Sequence, residues 1–262
     1  MLRWVFLDIG NVLMNDDPAM AFLYRELHQA MCAAGYQIPF PGLLAEREEM
    51  IRRRGPEHWQ VLGRKYLGED GHWKLMLRCA SKIRNDYMAT HAVIPGMDEV
   101  VRQLAGRYSV GVVANQLREV VGALDRIGLG QLIKVHAVSE IVGIRKPAPD
   151  LYLWAIDQAS CRPDEAVMVG DRADNDIAPA RQVGMWTILF QMPHEAKGHI
   201  PTGEVERLYY ESQLRESIGK IGPSGPEQTP DEWAGGPSEL LAAIERIRSR
   251  NDTPSEDPPA GR

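Results

Sequence analysis

Disulfide chemistry is the first thing this sequence lacks. Only three of its 262 residues are cysteine, Cys32, Cys79 and Cys161, far apart and without a C-x-x-C pair. They fit buried or incidental thiols in a reducing compartment better than a disulfide framework. Long apolar runs are missing as well. The run that starts at Trp4 is broken by Asp8, too short for a signal peptide or a membrane span. Nor is there positive charge to spare. Lys and Arg number 30 against 36 Asp and Glu, a formal net charge of −6. That argues against nucleic acid or an anionic membrane as partner, since affinity for either comes largely from Lys and Arg meeting phosphates. The expectation is a cytoplasmic protein, monomer or homodimer, with no nucleic-acid or membrane partner. Basic clusters such as "IRRRG" (51–55) read as the solvated face of a helix.

What is there is an ordinary globular composition, 44% hydrophobic and 25% charged, in a chain long enough for one large α/β domain or one domain with an insertion. After the first run the sequence turns polar at "MNDDP" and then reads as helical for some eighty residues. Met20, Leu23, Leu27, Ala30, Met31 and Ala34 recur at three- and four-residue spacing, the period of a helix with one buried face. Further helical stretches are expected near 42–54, 56–67 and 72–90, with no strand between. From Pro95–Gly96 onward the pattern alternates. "SVGVVAN", "KVHAVSEIV", "AVMVGD" and "MWTILF" are short apolar runs of the kind buried on both faces of a sheet, and helical patterns separate them. The expected fold is a Rossmann-like parallel sheet with helices on both faces, plus an inserted all-helical domain. The boundaries read as 1–14 and 95–250 for the sheet domain, 15–94 for the helical insert and 251–262 for a disordered tail. The Pro- and Gly-rich stretch 193–237 carries one helix-compatible piece, "EVERLYYESQLRESI", and reads equally as a lid, an oligomer contact or an excursion. "PSELLAAIERIRSR" reads as a last amphipathic helix capped by Ser238.

Three of the buried runs end on a polar residue: Asp8, Asn115 and Asp171. Any one could be a helix N-cap. In a parallel sheet, however, strand ends meet along one rim, where ligands bind, and Lys146 lies in the loop "GIRKPAPDLY" between two of them. These residues resemble the haloacid dehalogenase-like (HAD) hydrolase superfamily, in its helical-cap (C1) type with a D-x-G-N first motif. "FLDIGNVL" looks like the first motif and "VGVVANQ" the second. "KPAPDLY" looks like the third and "MVGDRADNDIAPARQVGM" the fourth, all in family order from residue 4 to about 192. The resemblance implies a Mg²⁺-dependent phosphatase of small phosphomonoesters. In it Asp8 would be the nucleophile that forms an aspartyl-phosphate. The metal would be held by Asp8, the Gly10 carbonyl, Asp171 and Asp176, hard oxygen ligands suited to Mg²⁺. Lys146 would neutralise nucleophile and phosphate, and Asn115 and Asn11 would join Lys146 in holding phosphoryl oxygens.

Two departures bear on that reading. Gly10 stands where the family's phosphatases usually carry a second Asp, and general acid–base catalysis is worth roughly 10²–10⁴-fold. Ala114 stands where Ser or Thr usually precedes Asn115, and a hydroxyl bond to a charged oxygen is worth about 1.5–3 kcal/mol. A catalytically impaired binding or regulatory protein on the same scaffold, or a metal-independent 2-haloacid dehalogenase, therefore remain alternatives. The dense acids of "VGDRADND", with Asp174 between Asp171 and Asp176, argue for a cation. Asp16 and Asp17 read as an exposed turn, with a stand-in acid as the second reading. "HEAKGH" (194–199) is set aside as a zinc motif because its histidines are five apart. The remaining histidines, His28, His58, His72, His91 and His136, have no ligand spacing. Trp59 and Trp73 are expected to pack between helices.

Overall fold

Apolar runs flanked by helical periodicity become the strands of one parallel sheet in the computed structural model, which describes residues 1–53 and 58–252. In chain order the strands are β1 (Trp4–Leu7), β2 (Met14–Asn15), β3 (Ala92–Val93), β4 (Ser109–Ala114), β5 (Ile133–Val138), β6 (Ala166–Gly170), β7 (Trp186–Phe190) and β8 (Glu232–Ala234). The α-helices are α1 (Asp17–Ala33), α2 (Phe40–Arg52), α3 (His58–Asn85), α4 (Met97–Ala105), α5 (Glu119–Arg126), α6 (Ser139–Val142), α7 (Pro149–Ala159), α8 (Ala178–Gln182), α9 (Glu204–Arg215) and α10 (Pro237–Asp252).

The chain divides into two units. The first comprises Met1–Leu13, Gly96–Met192 and Pro223–Arg262; the second comprises Met14–Pro95 and Pro193–Gly222. In the first, the core unit, six strands lie in the order β5-β4-β1-β6-β7-β8, every pairing parallel. β1 is therefore central, and all four of its residues are buried. Trp4 and Phe6 point to the face covered by α7 and α8, where Leu151, Tyr152, Ala155, Ile156 and Ala180 join them. α4 and α10 pack against β4 and β7 and against each other, so the strands are apolar on both sides, as their sequences require. The chain builds outward from β1 through β4 to β5 on one side and then crosses from β5 to β6 on the other, which puts the carboxyl end of β1 at the topological switch point of the sheet.

The second, helical unit packs α1, α2 and α3 around Tyr24, Leu27, Phe40, Leu43, Trp59, Leu62 and Tyr66. A break in α3 at Gly68, with φ +68°, divides it in two, near where the sequence separates two helical stretches. β2 and β3, two residues each, pair antiparallel at the ends of the insert.

The expected boundaries need correction. Residues 193–222 belong to the helical unit and not to the sheet domain. The reason is burial: Tyr209 of α9 is 1% exposed and packs with Ala21 and Tyr24 of α1, while Val205 and Leu208 line the same cluster. From 223 the chain returns to the core unit and adds β8 beside β7. Asp231 fixes that edge by accepting from the Thr187 amide at 3.0 Å and hydroxyl at 2.9 Å. α10 begins at Pro237, one residue before its expected cap Ser238, and runs to Asp252. The rest of the expected tail, and Arg54 and Gly55 of the basic cluster, lie outside the described residues. Trp59 packs as expected, donating from Nε1 to the Leu23 carbonyl at 2.9 Å, whereas Trp73, expected to pack in the same way, is 58% exposed.

Candidate active site

Asp8 follows the last residue of β1, and its amide donates to the Val169 carbonyl of β6 at 2.8 Å, extending the strand pairing by one residue. Its carboxylate is thereby fixed at the switch point, buried to 8% exposure. The Ile9 amide donates to Oδ1 at 2.8 Å, and Lys146 Nζ reaches the same oxygen at 2.7 Å. Both bonds end on Oδ1, which leaves Oδ2 as the oxygen for other chemistry. Asn11, three residues on, is half-buried with φ +55°, a left-handed conformation that Asn tolerates better than most side chains. The loop turns there, and the Leu13 amide closes it onto the Ile9 carbonyl at 2.9 Å.

Lys146 is the centre of the cluster. Its ammonium is fully enclosed and donates to Asp176 Oδ1 at 2.7 Å and the Val113 carbonyl at 3.1 Å besides its contact with Asp8. Burial works against the charged amine, but the Asp176 and Asp8 carboxylates outweigh it and hold its pKa above the usual lysine range. Asp8 shows the opposite balance. Burial pushes its carboxyl up to about 7; the Lys146 charge works against that rise and the Asp176 charge adds to it.

Asp171 follows β6 directly and is 8% exposed; Asp176, in a single π-helical turn at Ala173–Ile177, is wholly buried. Such turns are rare and recur at functional sites. This one brings the Arg172 amide to Asp176 Oδ2 at 3.0 Å. The Tyr152 hydroxyl of α7 steadies it by donating to the Asn175 carbonyl at 2.8 Å. Asp174 turns outward to pair with Arg172 at 2.7 Å and leaves the acidic pair to Asp171 and Asp176. Gly170 makes the approach of Asp176 possible: a Cβ there would lie 2.2 Å from the Asp176 Cβ and 2.6 Å from its Oδ2.

The carboxylates of Asp8, Asp171 and Asp176 each offer an oxygen within 4.8 Å of the others, the one group of metal-ligating side chains of this kind among the described residues. Three buried carboxylates gather here around one ammonium, and the Arg172 guanidinium is close enough to feel the charges of Asp171 and Asp176. Such a donor set, all hard oxygen, fits a divalent cation such as Mg²⁺.

Sequence reasoning and geometry diverge at two places. Asn115, expected to hold a phosphoryl oxygen, spends both ends of its amide on Lys146: Nδ2 donates to the Lys146 carbonyl at 3.0 Å, and Oδ1 accepts from the Lys146 amide at 2.9 Å. Asp17, expected in an exposed turn, is 2% exposed in the helical unit. It pairs with His194 at 2.8 Å and accepts from Gln213 Nε2 at 2.7 Å. Burial acts to raise its carboxyl, but His194, Lys197 and Gln213 hold it below the ordinary aspartate range, so it is no proton donor near neutral pH. His194 of "HEAKGH" is thus the partner of a carboxylate. Reasoning from strand ends found Asp8, Asn115 and Asp171 but missed Gly170 and the Tyr152 hydroxyl. For Gly170 the signal was present, a glycine ending a buried apolar run, where a ligand or a neighbouring atom comes close.

A family model for haloacid dehalogenase-like hydrolases matches residues 2–184, and the chain belongs to that family. Among curated relatives, the glyceraldehyde 3-phosphate phosphatase of Methanopyrus kandleri is 26% identical over 224 residues, 79% of this chain and 94% of its own. The ribulose-1,5-bisphosphate 5-phosphatase of Halopiger xanaduensis is 29% identical over 138 residues, 52% of this chain and 56% of its own. Among solved structures, HAD-hydrolase YfnB from Bacillus subtilis, bound to magnesium, superposes with a TM-score of 0.63 at 15% identity, over 92% of this chain and 97% of its own. At that identity the likeness speaks for the fold.

Proposed function

We propose that the protein is a Mg²⁺-dependent phosphatase of small phosphorylated metabolites, with Asp8 as its nucleophile. One observation carries this reading: three buried carboxylates meet at the carboxyl end of the central strand with a single buried lysine among them. Carboxylates crowded together in a buried site are costly to a fold, and a divalent cation bound among them offsets that cost. Asp8, Asp171, Asp176 and the Gly10 carbonyl would hold Mg²⁺, which when bound supplies charge neutralisation for the phosphoryl oxygens.

The chain's own residues do the rest. Asp8 Oδ2 attacks phosphorus and the P–O bond to the alcohol breaks, leaving an aspartyl-phosphate; water then hydrolyses that acyl phosphate, returning the carboxylate and inorganic phosphate. Lys146 fixes Oδ1 and balances the charge of nucleophile and phosphate. Asn11, in the turn that follows Asp8, would bind a phosphoryl oxygen. Gly10 offers no side-chain acid, so the departing alcohol takes its proton from solvent, and leaving groups that need little protonation are favoured. Relatives named for glyceraldehyde 3-phosphate and for ribulose 1,5-bisphosphate support triose and sugar phosphates as the first class to try.

The test is phosphate release from triose phosphates, sugar phosphates, nucleotides and p-nitrophenyl phosphate, with Mg²⁺ and with EDTA. Turnover should require the metal, and Asp8→Asn should lower it by more than about 10³-fold. Release that survives EDTA or the substitution would refute the assignment.

A further inference from the structure

We propose that Asn115 is a positioning residue: it clamps the backbone of Lys146 so that the lysine ammonium sits between Asp8 and Asp176. The inference rests on the phosphatase reading above and replaces the role expected for Asn115, that of a direct ligand of the phosphoryl group.

The clamp is built from three contacts at the carboxyl end of β4. Asn115 follows the last residue of that strand, and its amide makes the reciprocal pair of bonds to the Lys146 carbonyl and amide, 3.0 and 2.9 Å, that a neighbouring strand would make. Two residues earlier, the Val113 carbonyl accepts from the ammonium of the same lysine at 3.1 Å. Lys146 is therefore held at its backbone by residue 115 and at its tip by residue 113, across 31 positions of sequence for the first bond pair. A lysine stem has four rotatable carbons and is costly to order. Anchoring both ends restricts the ammonium to the position where Asp8 Oδ1 and Asp176 Oδ1 each lie 2.7 Å away.

Asparagine is the side chain this geometry calls for. Aspartate would lose the donor to the Lys146 carbonyl and add a fourth carboxylate beside the cluster. Glutamine is one methylene too long to close the same ring. Serine cannot span both backbone groups at once. The family alternative, an amide bonded to substrate, has only the second Nδ2 hydrogen to use, because the first goes to the Lys146 carbonyl.

The experiment is a double-mutant cycle with a structural readout beside it. Asn115→Ala should lower kcat by about 10- to 100-fold, the cost of a misplaced catalytic group, with KM changing less. In the Lys146→Met background the same substitution should cost less than about twofold, because the group it positions is gone. Backbone amide exchange at Lys146 should rise by at least about tenfold in Asn115→Ala, and this readout needs no turnover. An equal loss in both backgrounds would mean that Asn115 acts on the substrate itself and would overturn the proposal. So would unchanged exchange at Lys146, or a fall in thermal stability with kcat intact. A native chain without phosphatase activity overturns the phosphatase reading and the proposal with it, whereas unchanged exchange in an active enzyme overturns the clamp alone.

Discussion

The two units each bury a cluster of charges, and the clusters are built on opposite principles. In the helical unit, Asp17 is bonded on both oxygens, to His194 and Gln213. Arg47, 1% exposed, donates to Ser212 Oγ at 2.9 Å, to the Glu216 carbonyl at 3.0 Å and to Gln213 Oε1. Gln213 thus joins an anion to a cation through one amide, and the Tyr209 ring lies 5.1 Å from the guanidinium. Anion and cation are joined here through neutral side chains, both oxygens of Asp17 and both terminal nitrogens of Arg47 being bonded. In the core unit three carboxylates share one lysine, and Asp8 is pushed up to about 7 by its burial. Balanced buried charge reads as scaffold, and unbalanced buried charge reads as a site in need of a ligand.

The largest effect that would break this contrast is expected at Gly170. Gly170→Ala places a methyl 2.2 Å from the Asp176 Cβ, and the π-helical turn must move to admit it. The contact between Asp176 and Lys146 is then lost, and kcat should fall by about 10²-fold or more. Metal titration by calorimetry should show weakened Mg²⁺ binding in the same variant. Unchanged metal affinity and turnover would mean that the position of Asp176 is not critical and that the acidic cluster has been over-read.

The balanced cluster should respond in stability instead. Asp17→Asn removes the anion that faces His194 and should cost about 3–5 kcal/mol, the usual loss on breaking a buried pair from one side. The pH dependence has a definite sign. Asp17 in the folded protein lies below its ordinary 3.8, so the unfolded chain binds the extra proton between the two values. Its contribution is complete above about pH 4 and is lost as pH falls through the folded pKa. Urea midpoints measured from pH 7 to pH 2 should therefore drop more steeply for the native chain than for Asp17→Asn. Parallel curves would remove Asp17 from the account of acid stability.

Much of the core unit was legible because a strand buried on both faces must be written as an apolar run, and a polar residue ending such a run stands out. Asp8, Asn115 and Asp171 were found in that way, and the spacing of Lys146 followed. β8 was not legible. Its three residues, Glu232–Ala234, form an edge with one buried side chain, and Asp231 holds it through contacts 44 residues distant in sequence. The placement of 193–222 was hidden for a related reason. Pro and Gly dominate its ends, and its one helix buries Tyr209 against α1, nearly two hundred residues upstream. Val205, Leu208 and Tyr209 stand at helical spacing, a pattern that gives the period of a buried face but not the surface it meets. Asn115 was recognised by its position, while the backbone atoms it bonds belong to a loop whose path only the fold determines.

The smallest effect should come from Tyr152, which touches the site only through the backbone of the π-helical turn. Its hydroxyl is buried, its pKa is raised well above 10 by that burial with the Asp176 and Asp8 charges adding to it, and it therefore remains a donor to the Asn175 carbonyl at every pH the fold survives. Tyr152→Phe keeps the ring in the core beside Phe6 and Leu151 and removes one hydrogen bond, leaving a buried carbonyl unmatched at a cost of about 1–3 kcal/mol. Part of that loss should appear as looser placement of Asp176, with kcat lowered no more than about tenfold and Mg²⁺ affinity weakened to a similar degree. A fall in urea midpoint with kcat and metal affinity both intact would confine Tyr152 to the scaffold, and it would show that the unbalanced cluster is held in place by Lys146 and the Arg172 amide alone.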